Sequence, residues 1–482
     1  MTAVHYADKT PQRRAMLPQI YQEADFACLD AGSRKLRFRG RWIDGGPWER
    51  FGFYNAYVVL RRDGAVMKVP AHAGDLVPGS TEDLMATLGA LPEDFVDAPA
   101  SPMSLELDVT YRCSSIGCGG RCFSAQYRSQ SPGAAIDTPA IEAVVARFAG
   151  AGGRILRFDG GGDPLMHPNV RNGRLPLFAR RLALKSTLLT AGDLLTRANL
   201  PTLAEAHCYV RVSMDAATEA TRAAFHGNCV PLKQVIYQIE QLAAEQERQR
   251  TGLPIGATFL LDAANYREVA DCALLCRDAG VSHFSVRRVL GPLNLRPSFS
   301  LEQLGEIDDR LREAASLGTE KFRVFVPWRP INEPDQNPAA GDFAASRCWQ
   351  STFKSVIEPR IDRPGVRGQL CGRYRGGGVG QQMQLPEVFS SEHGDDWLVK
   401  WRASFFDYPY RRTQLLHTCS SCIDRGFIEL VDRLVEFLGP SIREFDVLHL
   451  ASDNPRTLEV FPPSTQTPQP LVPVASIIPD QV

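Results

Sequence analysis

The chain has 482 residues, enough for two or three domains, and its 44% hydrophobic and 23% charged content is that of a folded globular protein, which excludes wholesale disorder. Lysine and arginine, 54 together, nearly cancel 55 acidic residues, so no global field recruits nucleic acid or an anionic membrane surface. No apolar run has the length of a membrane span, and the opening Met1-Thr-Ala-Val-His-Tyr lacks the basic-then-apolar layout of a secretory signal. A cytoplasmic protein is expected, in which the 12 cysteines serve as metal ligands or core thiols in preference to disulfides.

In chain order, residues 1–100 read as a β-rich extension. The stretches 36–43 and 57–69 have strand composition, the second folding at Asp63-Gly64 into a hairpin, and a helix is expected near 81–91. From 101 to 330 the pattern changes to alternating strand and helix. Strand 105–109 delivers the chain into a cysteine loop. Thr138 and Pro139 then read as cap and first turn of a helix with Ile141, Val144, Val145 and Phe148 on one face, and strand 155–158 ends at a glycine run. Strands 185–190, 209–214, 255–261, 283–289 and 322–326 follow. Between them lie helices carrying Leu232, Val235, Ile236, Ile239 and Leu242, then spanning about 266–279 and 301–315. This alternation predicts an α/β fold with a parallel sheet and right-handed crossovers, whose ligands sit at the C-terminal strand ends. Residues 331–460 form a further domain and 461–482 a Pro-rich tail.

Two cysteine sets stand out. Cys113-Ser-Ser-Ile-Gly-Cys118-Gly-Gly-Arg-Cys122 places three thiols on one loop, and Cys348, Cys371 and the pair Cys419-Ser-Ser-Cys422 make a second set after residue 330. Three thiolates leave one iron of a four-iron cluster open to an exogenous ligand, whereas four close it. Zinc, or a chance grouping of thiols, is the alternative for the first set, and a structural zinc site for the second. Cys28, Cys208, Cys229, Cys272 and Cys276 read as buried small residues, the last two sharing a helical packing face with Val269.

The cysteine loop, with Phe158-Asp-Gly-Gly-Gly-Asp163-Pro-Leu-Met-His167 one βα unit later, resembles the radical S-adenosylmethionine (SAM) superfamily. The spacing here is C-x4-C-x3-C where that family usually has C-x3-C-x2-C, Arg121 precedes the last cysteine, and Asp163 stands where Glu is more usual. The resemblance implies a partial (β/α)6 TIM-like barrel over 101–330, with a [4Fe-4S] cluster on Cys113, Cys118 and Cys122 whose open iron is chelated by SAM. It also implies a SAM pocket from Gly160, Gly161, Gly162, Asp163 and Pro164, from Thr190, from Ser213 and Asp215, and from Arg287, which could instead meet the substrate. The second cysteine set resembles the twitch domain, a truncated SPASM domain, and implies one auxiliary [4Fe-4S] cluster. The N-terminal hairpin is either a cover for the barrel or similar to the peptide-recognition domains of some such enzymes.

By the same resemblance the expected activity is SAM cleavage to a 5′-deoxyadenosyl radical that takes hydrogen from an unactivated C–H bond of a specialised metabolite or ribosomal peptide, with net oxidation through the auxiliary cluster. A flavodoxin or ferredoxin would donate electrons. The rivals are an epimerase with a cysteine hydrogen donor and, more remotely, a non-catalytic iron-sulfur electron-transfer or sensor protein. No protein residue is assigned to catalysis: His167 reads as finishing a turn and His226, before Gly227, as a helix cap.

Overall fold

The computed structural model describes residues 20–22, 26–30, 35–38, 56–62, 65–70, 100–115, 118, 122, 124, 128, 133–207, 209–227, 230–288, 299–319, 321–325, 348–360, 363–369, 389–407 and 446–452. The expected helix at 81–91, the tail, and Cys208, Cys229, Cys371, Cys419 and Cys422 lie outside them.

Strands β1 (Ile20–Gln22), β2 (Phe26–Asp30), β3 (Lys35–Phe38), β4 (Ala56–Arg62) and β5 (Ala65–Pro70) precede β6 (Ser104–Leu107). Helix α1 (Thr138–Gly150) and β7 (Ile155–Phe158) follow, then α2 (Pro168–Arg171), α3 (Arg174–Arg181), β8 (Lys185–Thr190), α4 (Leu200–Ala206) and β9 (Tyr209–Ser213). Next come α5 (Glu219–His226), α6 (Leu232–Gln249), β10 (Ile255–Leu261), α7 (Val269–Asp278), β11 (His283–Arg288), α8 (Leu301–Ser316) and β12 (Arg323–Phe325). The later elements are α9 (Trp349–Phe353), β13 (Lys354–Pro359), β14 (Val366–Gln369), β15 (Phe389–Ser391), α10 (Trp397–Asp407) and β16 (Asp446–Ser452).

The alternation read from the sequence becomes one sheet of ten strands, ordered β12-β11-β10-β9-β8-β7-β6-β13-β14-β15. Strands β6 to β12 are parallel neighbours in chain order, as short βα crossovers dictate. The expected boundary at 330 does not divide this sheet. β13 pairs parallel to β6, Lys354 opposite Ser104, and β14 and β15 continue antiparallel. Residues 354–369 are short of motif and long in polar side chains, so their place in the sheet has no local signature.

The hairpin expected at Asp63-Gly64 is present as β4–β5, with Arg62 opposite Ala65. A second sheet runs β1-β5-β4-β16, so a strand from the end of the chain pairs with the N-terminal hairpin.

Side chains alternate across the large sheet. Leu105, Leu107, Leu156, Phe158, Leu188, Val210, Val212, Ala257, Phe259 and Phe284 belong to the helix-covered core. Register carries the intervening residues onto the opposite face: Glu106 beside Arg157, Arg157 beside Thr187, Ser213 beside Thr258 and Thr258 beside Ser285. A parallel sheet packed by helices on both sides would be apolar on both. This one has a polar face, neutralised internally by Glu106 with Lys354 at 2.5 Å and Arg157 at 3.2 Å, and by Glu358 with Arg367 at 2.8 Å.

Helix α1 is capped one residue earlier than its sequence suggests. Asp137 is the cap, its carboxylate accepting from Ala140 N, while the Thr138 hydroxyl accepts from Asn169 Nδ2. The buried indole of Trp397 on α10 docks on the same helix by donating to the Val144 carbonyl at 3.1 Å. Among the described residues no helix is long and apolar enough to cross a membrane. Trp397→Ala is expected to cost about 3–5 kcal/mol, from lost burial and an emptied cavity, measured as a lowered urea midpoint.

Candidate functional site

The cysteine loop opens at the C-terminal end of β6 and is closed at its neck. Tyr111 N donates to Ala134 O at 2.8 Å and Ile136 N to Val109 O at 3.0 Å, so the segment between returns to its starting point. Within it, Cys122 N donates to Cys118 O at 2.8 Å, and Cys113, Cys118 and Cys122 are each half-buried.

The glycine run at the end of β7 clasps that neck. Gly162 N donates to Thr110 O and Asp163 N to Arg112 O, both at 2.9 Å. A Cβ on Gly162 would stand 1.8 Å from Arg112 O, and one on Gly160 2.0 Å from Asp108 Oδ1; Gly160 and Gly161 also have φ of 60° and 56°. The family resemblance assigns these glycines to the SAM pocket. The backbone they admit first is the protein's own, at the entrance to the cysteine loop.

Asp163 is buried, and its carboxylate accepts from Leu165 N at 2.9 Å, from the Thr190 hydroxyl at 2.8 Å and from Ala191 N at 2.9 Å. Burial pushes its pKa up, and these hydrogen bonds hold it back. Pro164 opens the short helical turn that Asp163 caps. Thr190 and Asp163 are therefore brought together, as a brace between the ends of β7 and β8.

Ser213 and Asp215, two positions apart, would share a face if the strand ran on through both. β9 ends at Ser213, and Asp215 lies beyond it with φ of 57°, so alternation no longer aims its side chain. Its buried carboxylate accepts from Leu260 N at 2.6 Å and lies 3.2 Å from His226 Nε2. Ser213, Ser285 and Arg287 do share the polar sheet face by register, the first two through Thr258, while Leu260 stands opposite Arg287. Burial lowers the Arg287 pKa to about 10.

His167 finishes a turn as expected: Nδ1 accepts from Asn169 N and Nε2 lies 3.2 Å from Ile136 O. His226 departs from its reading as a cap. Its ring is buried, with Nδ1 3.3 Å from Ser115 Oγ and 3.8 Å from Cys118 Sγ. The sequence places it at a helix end but contains no signal that the end abuts the cysteine loop. Behind it, the buried pair Arg222 and Asp193, at 2.5 Å, ties α5 to the loop after Thr190.

No protein-family model and no curated protein matches the chain. Among solved structures it is similar to Streptococcus suis SuiB bound to S-adenosylmethionine, at 16% identity and TM-score 0.47, over 71% of this chain and 76% of that one. It is also similar to native anSMEcpe with bound AdoMet, at 15% identity and TM-score 0.42, over 68% and 88% of the respective chains. Archaeal TYW1 is similar over a shorter stretch, 36% of this chain and 53% of that one, at 12% identity and TM-score 0.24. These are likenesses of chain trace, and the reading of the site rests on its residues.

Cys113 and Cys118 carry a common electrostatic burden. Burial pushes Cys113 up to about 11, with the Asp163 and Cys122 charges adding to it. Burial likewise pushes Cys118 up to about 12, with Cys122, Cys113 and Asp215 adding. A cation among them relieves both effects, and its binding releases protons. In metal-free protein, iodoacetamide labelling of Cys113 is expected to rise with pH toward an inflection near 11, and at pH 7 to lag an ordinary thiol by about a hundredfold. Gly162→Ala is expected to displace the loop neck, read as faster iodoacetamide labelling of Cys113 without loss of folded secondary structure.

Proposed function

We propose that this chain is a radical SAM enzyme with an α/β core and a [4Fe-4S] cluster held by Cys113, Cys118 and Cys122. The observation that carries the reading is the set of three half-buried thiols on one necked loop at the C-terminal end of β6, clasped by the glycine run at the end of β7. The donor set fits the group: all three ligands are thiols, and each binds a different iron, so they need not converge on one point. Among the described residues no three His, Cys, Asp or Glu side chains are placed to hold a single metal ion.

When bound, the cluster supplies the electron that cleaves SAM to methionine and a 5′-deoxyadenosyl radical, which takes hydrogen from the substrate. The chain's own contribution is placement. Gly160 to Pro164 fix the cysteine loop, Asp163 and Thr190 brace the adjoining strand ends, and Ser213, Ser285 and Arg287 supply polar groups on the sheet face for SAM or substrate. Asp215 serves the pocket from behind, through Leu260 and His226.

The auxiliary cluster is proposed on Cys348, Cys371, Cys419 and Cys422. Its support is topological: Cys348 precedes the α9–β13 unit, β14 returns antiparallel, and its last residue, Gln369, lies two positions before Cys371. Net oxidation of a metabolite or peptide is favoured over epimerisation because a cluster closed by four thiolates is suited to taking an electron; Cys272 and Cys276 lie in the apolar core, which leaves Cys208 and Cys229 as the candidate hydrogen donors of the rival reading.

Anaerobically reconstituted protein is expected to hold about eight irons. Replacing Cys113, Cys118 and Cys122 by alanine leaves about four and abolishes 5′-deoxyadenosine formation. Replacing Cys419 and Cys422 leaves SAM cleavage measurable while blocking product. A product two hydrogens lighter marks oxidation, and unchanged mass with solvent deuterium marks epimerisation.

A further inference from the structure

Cys118 has a neighbour that the cluster reading does not use. We infer that His226 is a positioning residue for the cluster loop, contacting the Cys118 sulfur through Nδ1 and thereby setting the reduction potential of the cluster that Cys118 ligates. The inference rests on the cluster reading above and adds a residue to it.

The ring has polar neighbours on two sides. Nε2 lies 3.2 Å from Asp215 Oδ2, a close approach without hydrogen-bond geometry, and Asp215 is itself anchored by Leu260 N at 2.6 Å, so the imidazole sits against the ends of β9 and β10. On the other side, Nδ1 lies between Ser115 Oγ at 3.3 Å and Cys118 Sγ at 3.8 Å. These are two residues of the same loop, three positions apart. His226 is the last residue of α5, and Gly227 follows with φ of 84°, ending the helix where the ring meets the loop. Arg222, one turn earlier, is buried against Asp193, so α5 cannot slide without breaking a buried ion pair.

A helix cap needs none of this. His226 is buried and its side chain points at the thiol, whereas a residue that only ends a helix would be exposed or bonded to the last carbonyls. An iron-bound thiolate accepts hydrogen bonds and donates none, so in the loaded protein Nδ1 is the donor to sulfur. Such a bond stabilises the reduced, more negative cluster and raises its potential.

The two ring nitrogens can be separated by substitution. An asparagine amide nitrogen takes the place of Nδ1 and keeps the sulfur contact, whereas a glutamine amide takes the place of Nε2 and keeps only the Asp215 contact. Full-length His226→Asn, His226→Gln and His226→Phe would be reconstituted and followed by EPR-monitored redox titration, with SAM added to single out the cluster whose signal it changes. His226→Gln and His226→Phe are expected to disfavour reduction of that cluster by about tenfold or more, about 59 mV for one electron, with iron content retained. His226→Asn stays near wild type. Equal potentials in all variants that load iron, or an asparagine variant shifted as far as the glutamine one, would overturn the inference. A wild-type protein with no SAM-responsive cluster fails the functional reading itself, a separate outcome.

Discussion

The site depends on a backbone-to-backbone clasp. Gly162 and Asp163 donate to the carbonyls of Thr110 and Arg112, and the contact is so close that a methyl group at Gly162 would occupy the space of the Arg112 oxygen. Those carbonyls immediately precede Cys113, so the orientation with which the first thiol leaves β6 is set by the end of β7. The cysteine loop takes part of its order from outside itself. That part comes from two amide hydrogen bonds and the absence of three side chains.

Around this clasp the strand ends are linked in series by buried polar groups. Asp163 joins β7 to the turn after β8 through Thr190 and Ala191; Asp193 joins that turn to α5 through Arg222; His226 joins α5 to the cysteine loop and, through Asp215, to β10. Each link buries charge or a polar atom, which is costly unless satisfied, so the arrangement is exacting.

Much of this is legible in the sequence. The parallel alternation, the hairpin at Asp63-Gly64, the core placement of Cys272 and Cys276 and the turn role of His167 follow from periodicity, turn residues and helical spacing, which are local signals. Three things are not. The continuation of the sheet through β13 depends on pairing with β6 across some 250 residues, a contact that leaves no local pattern. Asp215 reads as following a strand direction, but a single left-handed residue after the strand redirects it. His226 reads as a cap because its neighbour Gly227 is visible in sequence, while the loop it touches is about a hundred positions away. In each case the missing information is non-local.

The same non-local packing explains why the loop suits a metal group better than a covalent role for a single thiol. A nucleophilic cysteine needs its pKa lowered by a neighbouring cation, a helix N-terminus or a histidine acting alone on it. Cys113 and Cys118 are pushed the other way, Cys113 by burial first and then by Asp163 and Cys122, Cys118 by burial first and then by Cys122, Cys113 and Asp215, with Arg128 as the opposing charge for both. Left without a cation, such thiols stay protonated and inert at neutral pH. Under the proposed reading, iron bound by these thiolates would offset their mutual repulsion, and its binding would release protons. The loop therefore carries buried thiols at Cys113 and Cys118 whose surroundings oppose the thiolate form unless a cation offsets them.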